Sequence, residues 1–202
     1  MARKMEYGDW AQIIGSYDLG ARRGMITSML PAKIAFASKD GGEERVRLKG
    51  VDIKGKFLFD LAVNPMTASC GQPGNARMFE EFVPVTAKLI QVILFVDGVE
   101  ASQYTPGSPV PKGSVELTAP EPGRSHHIPL AGDAPAEPNV SYTLQVRPHG
   151  DSRWHTMAVG LERPNLADVD LNQFAGAPAI EVRVLRSNGL ETVEVFNERR
   201  EF

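Results

Sequence analysis

Four histidines, one cysteine and a few aromatic side chains are the residues in this 202-residue chain whose types could do chemistry. His126, His127, His149 and His155 lie within thirty residues of one another, which raises the question of a metal site. Adjacent histidines on a strand point to opposite faces. No H-E-x-x-H, cysteine pair or carboxylate cluster completes a coordination set. The bland alternative is imidazoles near loops, with His149 in the turn Pro148-His149-Gly150-Asp151. Cys70 stands in a Gly/Pro-rich stretch with no local histidine or basic group to activate a thiol. As the only cysteine, it also forbids an intrachain disulfide.

Other motifs fall short in the same way. No G-x-S-x-G elbow is present. Gly41-Gly42 and Gly71–Gly74 lack the spacing that cradles phosphates. Asp97-Gly98 lacks the D-x-D-x-D spacing of a calcium loop and reads as a hairpin turn. Trp10, Trp154, Tyr104 and Tyr142 could form a sugar-stacking platform if two stood exposed side by side, although such aromatics usually belong to a core. The sequence therefore nominates no catalytic residue, no cofactor and no metal site.

Charge and hydropathy narrow the partners. With 22 Lys+Arg against 25 Asp+Glu the net charge is -3, and the short pairs Arg22-Arg23 and Arg199-Arg200 make no basic stripe. Nucleic acid is not an expected partner. The chain is 42% hydrophobic, enough for a sizeable core. No apolar run approaches the roughly 18 residues of a membrane span, so membrane insertion is not expected. The opening MARKMEYGDWAQIIGSY has neither a continuous apolar segment nor a small-residue cleavage site. That reads as cytoplasmic synthesis, with incorporation into a particle as one destination, and the localisation stays open.

Something must position these residues. Over 9–20, Asp9 offers an N-cap, and Trp10, Ile13, Ile14 and Tyr17 fall at i, i+3, i+4 and i+7, which predicts a short helix ending at Gly20. Gly15 weakens it, so docking of its apolar stripe is required. From residue 32 the period becomes two. Val46 and Leu48 alternate with charged neighbours, a bulge at Lys49-Gly50 brings Val51 and Ile53 into phase, and Phe57, Phe59, Leu61 and Val63 follow a Lys54-Gly55-Lys56 turn. Residues 64–85 break the pattern and predict a boundary. Leu89–Val96 is almost continuously apolar, a strand covered on both faces, with its second cover from the N-terminal part or another chain.

Beyond it, Pro/Gly-rich intervals at 104–113, 119–125 and 131–139 separate short candidate strands at 114–118 and 126–130. Alternation returns at Tyr142–Val146 and Ile180–Val184, and Asn188-Gly189 signals a closing hairpin. Recurrent strands without long helices predict an antiparallel sandwich.

The segments YTLQVRPHGDSRWHTMAV and AIEVRVLRSNGLETVEV resemble the central strands and closing hairpin of the fibronectin type III and related immunoglobulin-like families, over about residues 87–202. The resemblance implies binding, spacing or assembly and supplies no catalytic residues. The expectation is an all-β protein: an N-terminal arm with a short helix (1–30), a β-rich part (31–86) and an antiparallel immunoglobulin/fibronectin III-like sandwich (87–202). Its expected function is a non-enzymatic structural or protein-interaction module, a subunit of a larger assembly such as a virion or filament. The expected partner is a protein or a second copy, met through Trp10, Ile13, Ile14, Tyr17, Leu89, Ile93 and Phe95. The competing readings are a carbohydrate-binding accessory domain and a metal-dependent enzyme using the His126–His155 region.

Overall fold

The computed structural model describes residues 5–36, 42–66, 76–86, 88–119 and 127–201. Fourteen strands follow in order: β1 (Met5–Asp18), β2 (Arg23–Phe36), β3 (Glu43–Val51), β4 (Phe57–Val63), β5 (Ala76–Pro84), β6 (Gln91–Val96), β7 (Val99–Tyr104), β8 (Glu116–Leu117), β9 (His127–Ala131), β10 (Ser141–Pro148), β11 (His155–Leu161), β12 (Asp168–Asp170), β13 (Ala179–Ser187) and β14 (Thr192–Glu201). The pairings are antiparallel, and the only helical pieces among the described residues are short 3₁₀ turns at Pro164–Leu166 and Leu171–Phe174. Two compact units divide at Pro106/Gly107.

In the first unit, the sheets β2-β1-β5 and β4-β3-β6-β7 share an interior that includes Ile13, Tyr17, Met29, Val46, Leu48, Val63, Phe79, Val83 and Leu94. The sheets approach at both edges. Met66 N–H donates to Met78 O (2.8 Å) on one side, and Ile26 N–H donates to Ser102 Oγ (3.2 Å) on the other. This brings β4 to β5 and β7 to β2, giving the unit a barrel-like wrap. The buried carboxylate of Glu81 accepts from Asn64 N–H (2.6 Å) and Nδ2 (3.0 Å), which ties the end of β4 to β5. Gly15 is required where β1 passes Phe79, because a Cβ there would lie 2.4 Å from Met25 O and 2.5 Å from the Phe79 ring.

The helix expected over 9–20 is instead the later part of β1, to Asp18, and the start of the turn that follows. Its apolar spacing suits two periods at once: Ala11, Ile13 and Tyr17 alternate inward while Trp10 and Ile14 alternate outward. Pairing on both sides decides between them, since Ile13 stands opposite Met29 of β2 and Glu81 of β5. Isolated helices of this length are marginal, and Gly15 weakens this one further.

The domain limits also move. β6 and β7, assigned by sequence to the C-terminal part, belong to the first unit, because β6 pairs with β3 from Val46↔Val96 to Val51↔Gln91. The expected arm at 1–30 is not separate either, since the β1–β2 hairpin runs through it into the same sheet. The irregularity expected at Lys49-Gly50 falls between Gly50 and Val51 in the β3–β4 pairing. Asp97-Gly98 is a tight turn with φ of 51° and 74°, the positive-φ pair that matches strand twist in two-residue hairpins.

In the second unit, the sheets β11-β10-β13-β14 and β12-β9-β8 enclose one core. Tyr142, Leu144 and Val146 of β10 and Ile180, Val182 and Val184 of β13 meet Ile128, Leu130 and Val169 there. Their alternate neighbours face outward, so the period-two pattern is the pattern of burial. Arg186 is 1% exposed; it donates to Ser108 O (2.8 Å) and Glu137 Oε1 (3.0 Å), while Lys112 holds Glu137 Oε2 (2.9 Å). This buried network pins the proline-rich entry segment onto β13. At the closing hairpin Asn188 Oδ1 accepts from Leu190 and Glu191 N–H, both at 3.0 Å.

Candidate interaction surface

The outward face of β2-β1-β5 follows from its register. Row by row it carries Phe36 with Met5, Ile34 with Tyr7, Ala32 with Trp10 and Pro84, Leu30 with Gln12 and Phe82, Ser28 with Ile14 and Glu80, and Met25 with Ser16 and Met78. Irregularities at Tyr7/Trp10 and Ile14/Gly15 keep these residues in phase by inserting an extra residue in one strand at each place. Met66, bonded through its backbone to Met78, extends the last row. The Phe36 ring meets the Phe82 ring edge-on at 5.9 Å.

Within these rows Glu80 is the single charged residue, and it accepts a hydrogen bond from Gln12 Nε2. Charge also appears at the bulge between the second and third rows, as the Asp9–Lys33 ion pair, and at the hairpin turn, with Asp18 and Arg23. Seven of the apolar side chains keep between 37% (Ile34) and 79% (Tyr7) of their surface exposed, which at roughly 200 Å² for a large side chain leaves roughly 700 Å². Contiguous apolar patches on monomers are ordinarily about 300–600 Å² at most.

The residues expected to make contacts divide. Trp10 and Ile14 lie on this outer face, whereas Ile13 and Tyr17 are buried within the unit. Burial raises the Tyr17 phenol above its usual pKa, partly offset by Arg77. Leu89 is buried, and Ile93 and Phe95 are half-buried on the outer side of β6. There the cover comes from within the unit: Lys49 Nζ stands 5.1 Å from the Phe95 ring centroid and 4.8 Å from that of Phe57, its stem lying along the sheet. Asp60 meets Arg47 Nε (2.6 Å) and Lys49 Nζ (3.3 Å). Burial works to raise its pKa, but these bonds outweigh burial and hold the carboxyl below the ordinary range.

Met25, Leu30, Ile34, Phe36, Met78 and Phe82 were not singled out from the sequence. The signal for the first four is apolarity at both parities along 24–36, which marks a strand with something on each side.

The described histidines have separate settings. His127 Nδ1 pairs with Asp168 Oδ2 (2.9 Å) between β9 and β12, His155 Nε2 pairs with Asp151 Oδ2 (2.9 Å), and His149 is exposed at its turn. His126 and Cys70 lie outside the described residues. Arg153 N–H and then His155 hold the Asp151 carboxyl below its usual pKa. Among the described residues no group of three or more His, Cys, Asp or Glu is arranged to hold a metal ion. Of the four platform candidates, Tyr142 is buried, Tyr104 is half-buried with its phenol pKa raised by burial, and Trp154 stacks against Arg183 (4.0 Å) and Arg147 (4.7 Å). Trp10 packs back against Gly8, whose Cβ would stand 3.1 Å from its Nε1.

No family model matches the chain, and no curated protein matches it. No helix among the described residues is long and apolar enough to cross a membrane.

Proposed function

We propose that this chain is a non-enzymatic structural or protein-interaction module, a subunit of a larger assembly, with its second unit of the immunoglobulin/fibronectin III-like sandwich kind. One observation carries the reading: the outer face of β2-β1-β5 is apolar across its rows, large and exposed. A surface of that composition costs solubility when left in water, and a partner that covers it removes the cost. The partner is a protein or another copy of the chain.

The test is cross-linking mass spectrometry on protein isolated gently from its natural source, with Lys33 at the β1–β2 bulge as an anchor. Links from Lys33 to a second polypeptide or a second copy are expected. Native protein that runs as a monomer with no such link contradicts the reading.

A further inference from the structure

We infer that the occupant of the outer face of β2-β1-β5 is a second copy of this chain, packed face to face about a twofold axis. The inference rests on the interaction reading above and names the partner. The first support is area. The roughly 700 Å² left exposed by the large apolar side chains is close to the roughly 800 Å² per partner of a stable protein interface.

The second support is charge. Specific unlike partners are commonly steered by opposed patches of single sign. This face offers no such patch, since its one central carboxylate, Glu80, is already engaged by Gln12. The other charges come with both signs side by side, Asp9 with Lys33 at the bulge and Asp18 with Arg23 at the hairpin turn. An apolar surface whose few charges include both signs is complementary to itself, which is what a twofold interface requires. Two such sheets stack about 10 Å apart with interdigitating side chains, the packing of a sandwich interior.

The experiment is sedimentation equilibrium of the full chain from about 1 to about 100 μM. A dimer is expected. Leu30→Glu and Met78→Lys, both at exposed positions, should each raise its dissociation constant at least about a hundredfold with the circular dichroism spectrum unchanged. Val159→Glu, on an exposed position of the other unit, should leave it unaltered. A wild-type monomer throughout the range, or a dimer indifferent to both face substitutions, overturns the inference. If the purified chain is monomeric while native material is cross-linked at Lys33 to a different polypeptide, self-association fails and the interaction reading stands. Absence of both defeats the two together.

Discussion

Gln12 on β1 donates its side-chain amide to the carboxylate of Glu80 on the neighbouring β5, so the one charged residue within the rows of the outer sheet face has a hydrogen-bond donor within the sheet. The apolar residues around this pair therefore surround a polar group with a partner already in place. Covering them buries a carboxylate that has one hydrogen-bond donor and no counter-charge, a cost that the surrounding apolar area has to offset.

Arg186 is the main electrostatic anchor of the second unit. Arg186→Met leaves Glu137 half-compensated by Lys112 and releases Ser108 O. The expected loss is about 3–5 kcal/mol, the range for breaking a buried pair from one side. Lys112→Ala, at the exposed end of the network, should cost under about 1 kcal/mol. Urea denaturation followed by Trp154 fluorescence in a Trp10→Phe background measures both.

Acid should act through the same carboxylate. The hydrogen bond from Lys112, opposed by burial and supported by Arg186, holds Glu137 below its usual pKa. A depressed carboxylate contributes stability that is present above its unfolded value, about 4.3, and is lost as pH falls through the lower folded value. The urea midpoint of the second unit should therefore drop below about pH 4.3, and Glu137→Gln, already weakened at neutral pH, should show a shallower drop. Equal pH slopes in the two proteins would remove Glu137 from the account.

Gly15 is a steric necessity. Alanine there would place its Cβ against the Met25 carbonyl and the Phe79 ring, and the carbonyl belongs to the β1–β2 pairing and cannot retreat. Gly15→Ala should destabilise the first unit by about 1–3 kcal/mol. Gly55→Ala makes no such contact, and its cost comes from the φ of 76° alone. Thermal melts of the two variants separate clash from backbone strain.

Much of the architecture was legible in sequence because its strands have one buried face. Val46 and Leu48, Tyr142 to Val146, and Ile180 to Val184 alternate inward as their spacing indicates, and the turns at Asp97-Gly98 and Asn188-Gly189 fall where those dipeptides stand. The errors share a cause. β1 and β6 are apolar at both parities, and periodicity cannot say what lies on the second face. For β1 the ambiguity produced a helix. For β6 it left the second cover open between the N-terminal part and another chain, and the long side chain of Lys49 from β3 lies over Phe95. Of the seven expected contact residues, Trp10, Ile14, Ile93 and Phe95 lie on outward faces, and Ile13, Tyr17 and Leu89 are core. Met78 and Phe82 reach the candidate surface only through pairing across more than sixty residues, Gln12 with Phe82 and Ser16 with Met78, a relation no local pattern contains.

The central claim is that the outer face of β2-β1-β5 is covered in the working protein, and hydroxyl-radical footprinting of gently isolated native material tests it most directly. Tyr7, Leu30 and Phe36 on the face are to be compared with Ile53 and Phe57 at the β3–β4 turn, which are also exposed. With intrinsic reactivities normalised, the account predicts that the face residues are protected relative to the turn residues and lose that protection in Leu30→Glu. Modification of Tyr7 and Phe36 in proportion to their exposure in the isolated chain, unchanged by the substitution, would contradict it.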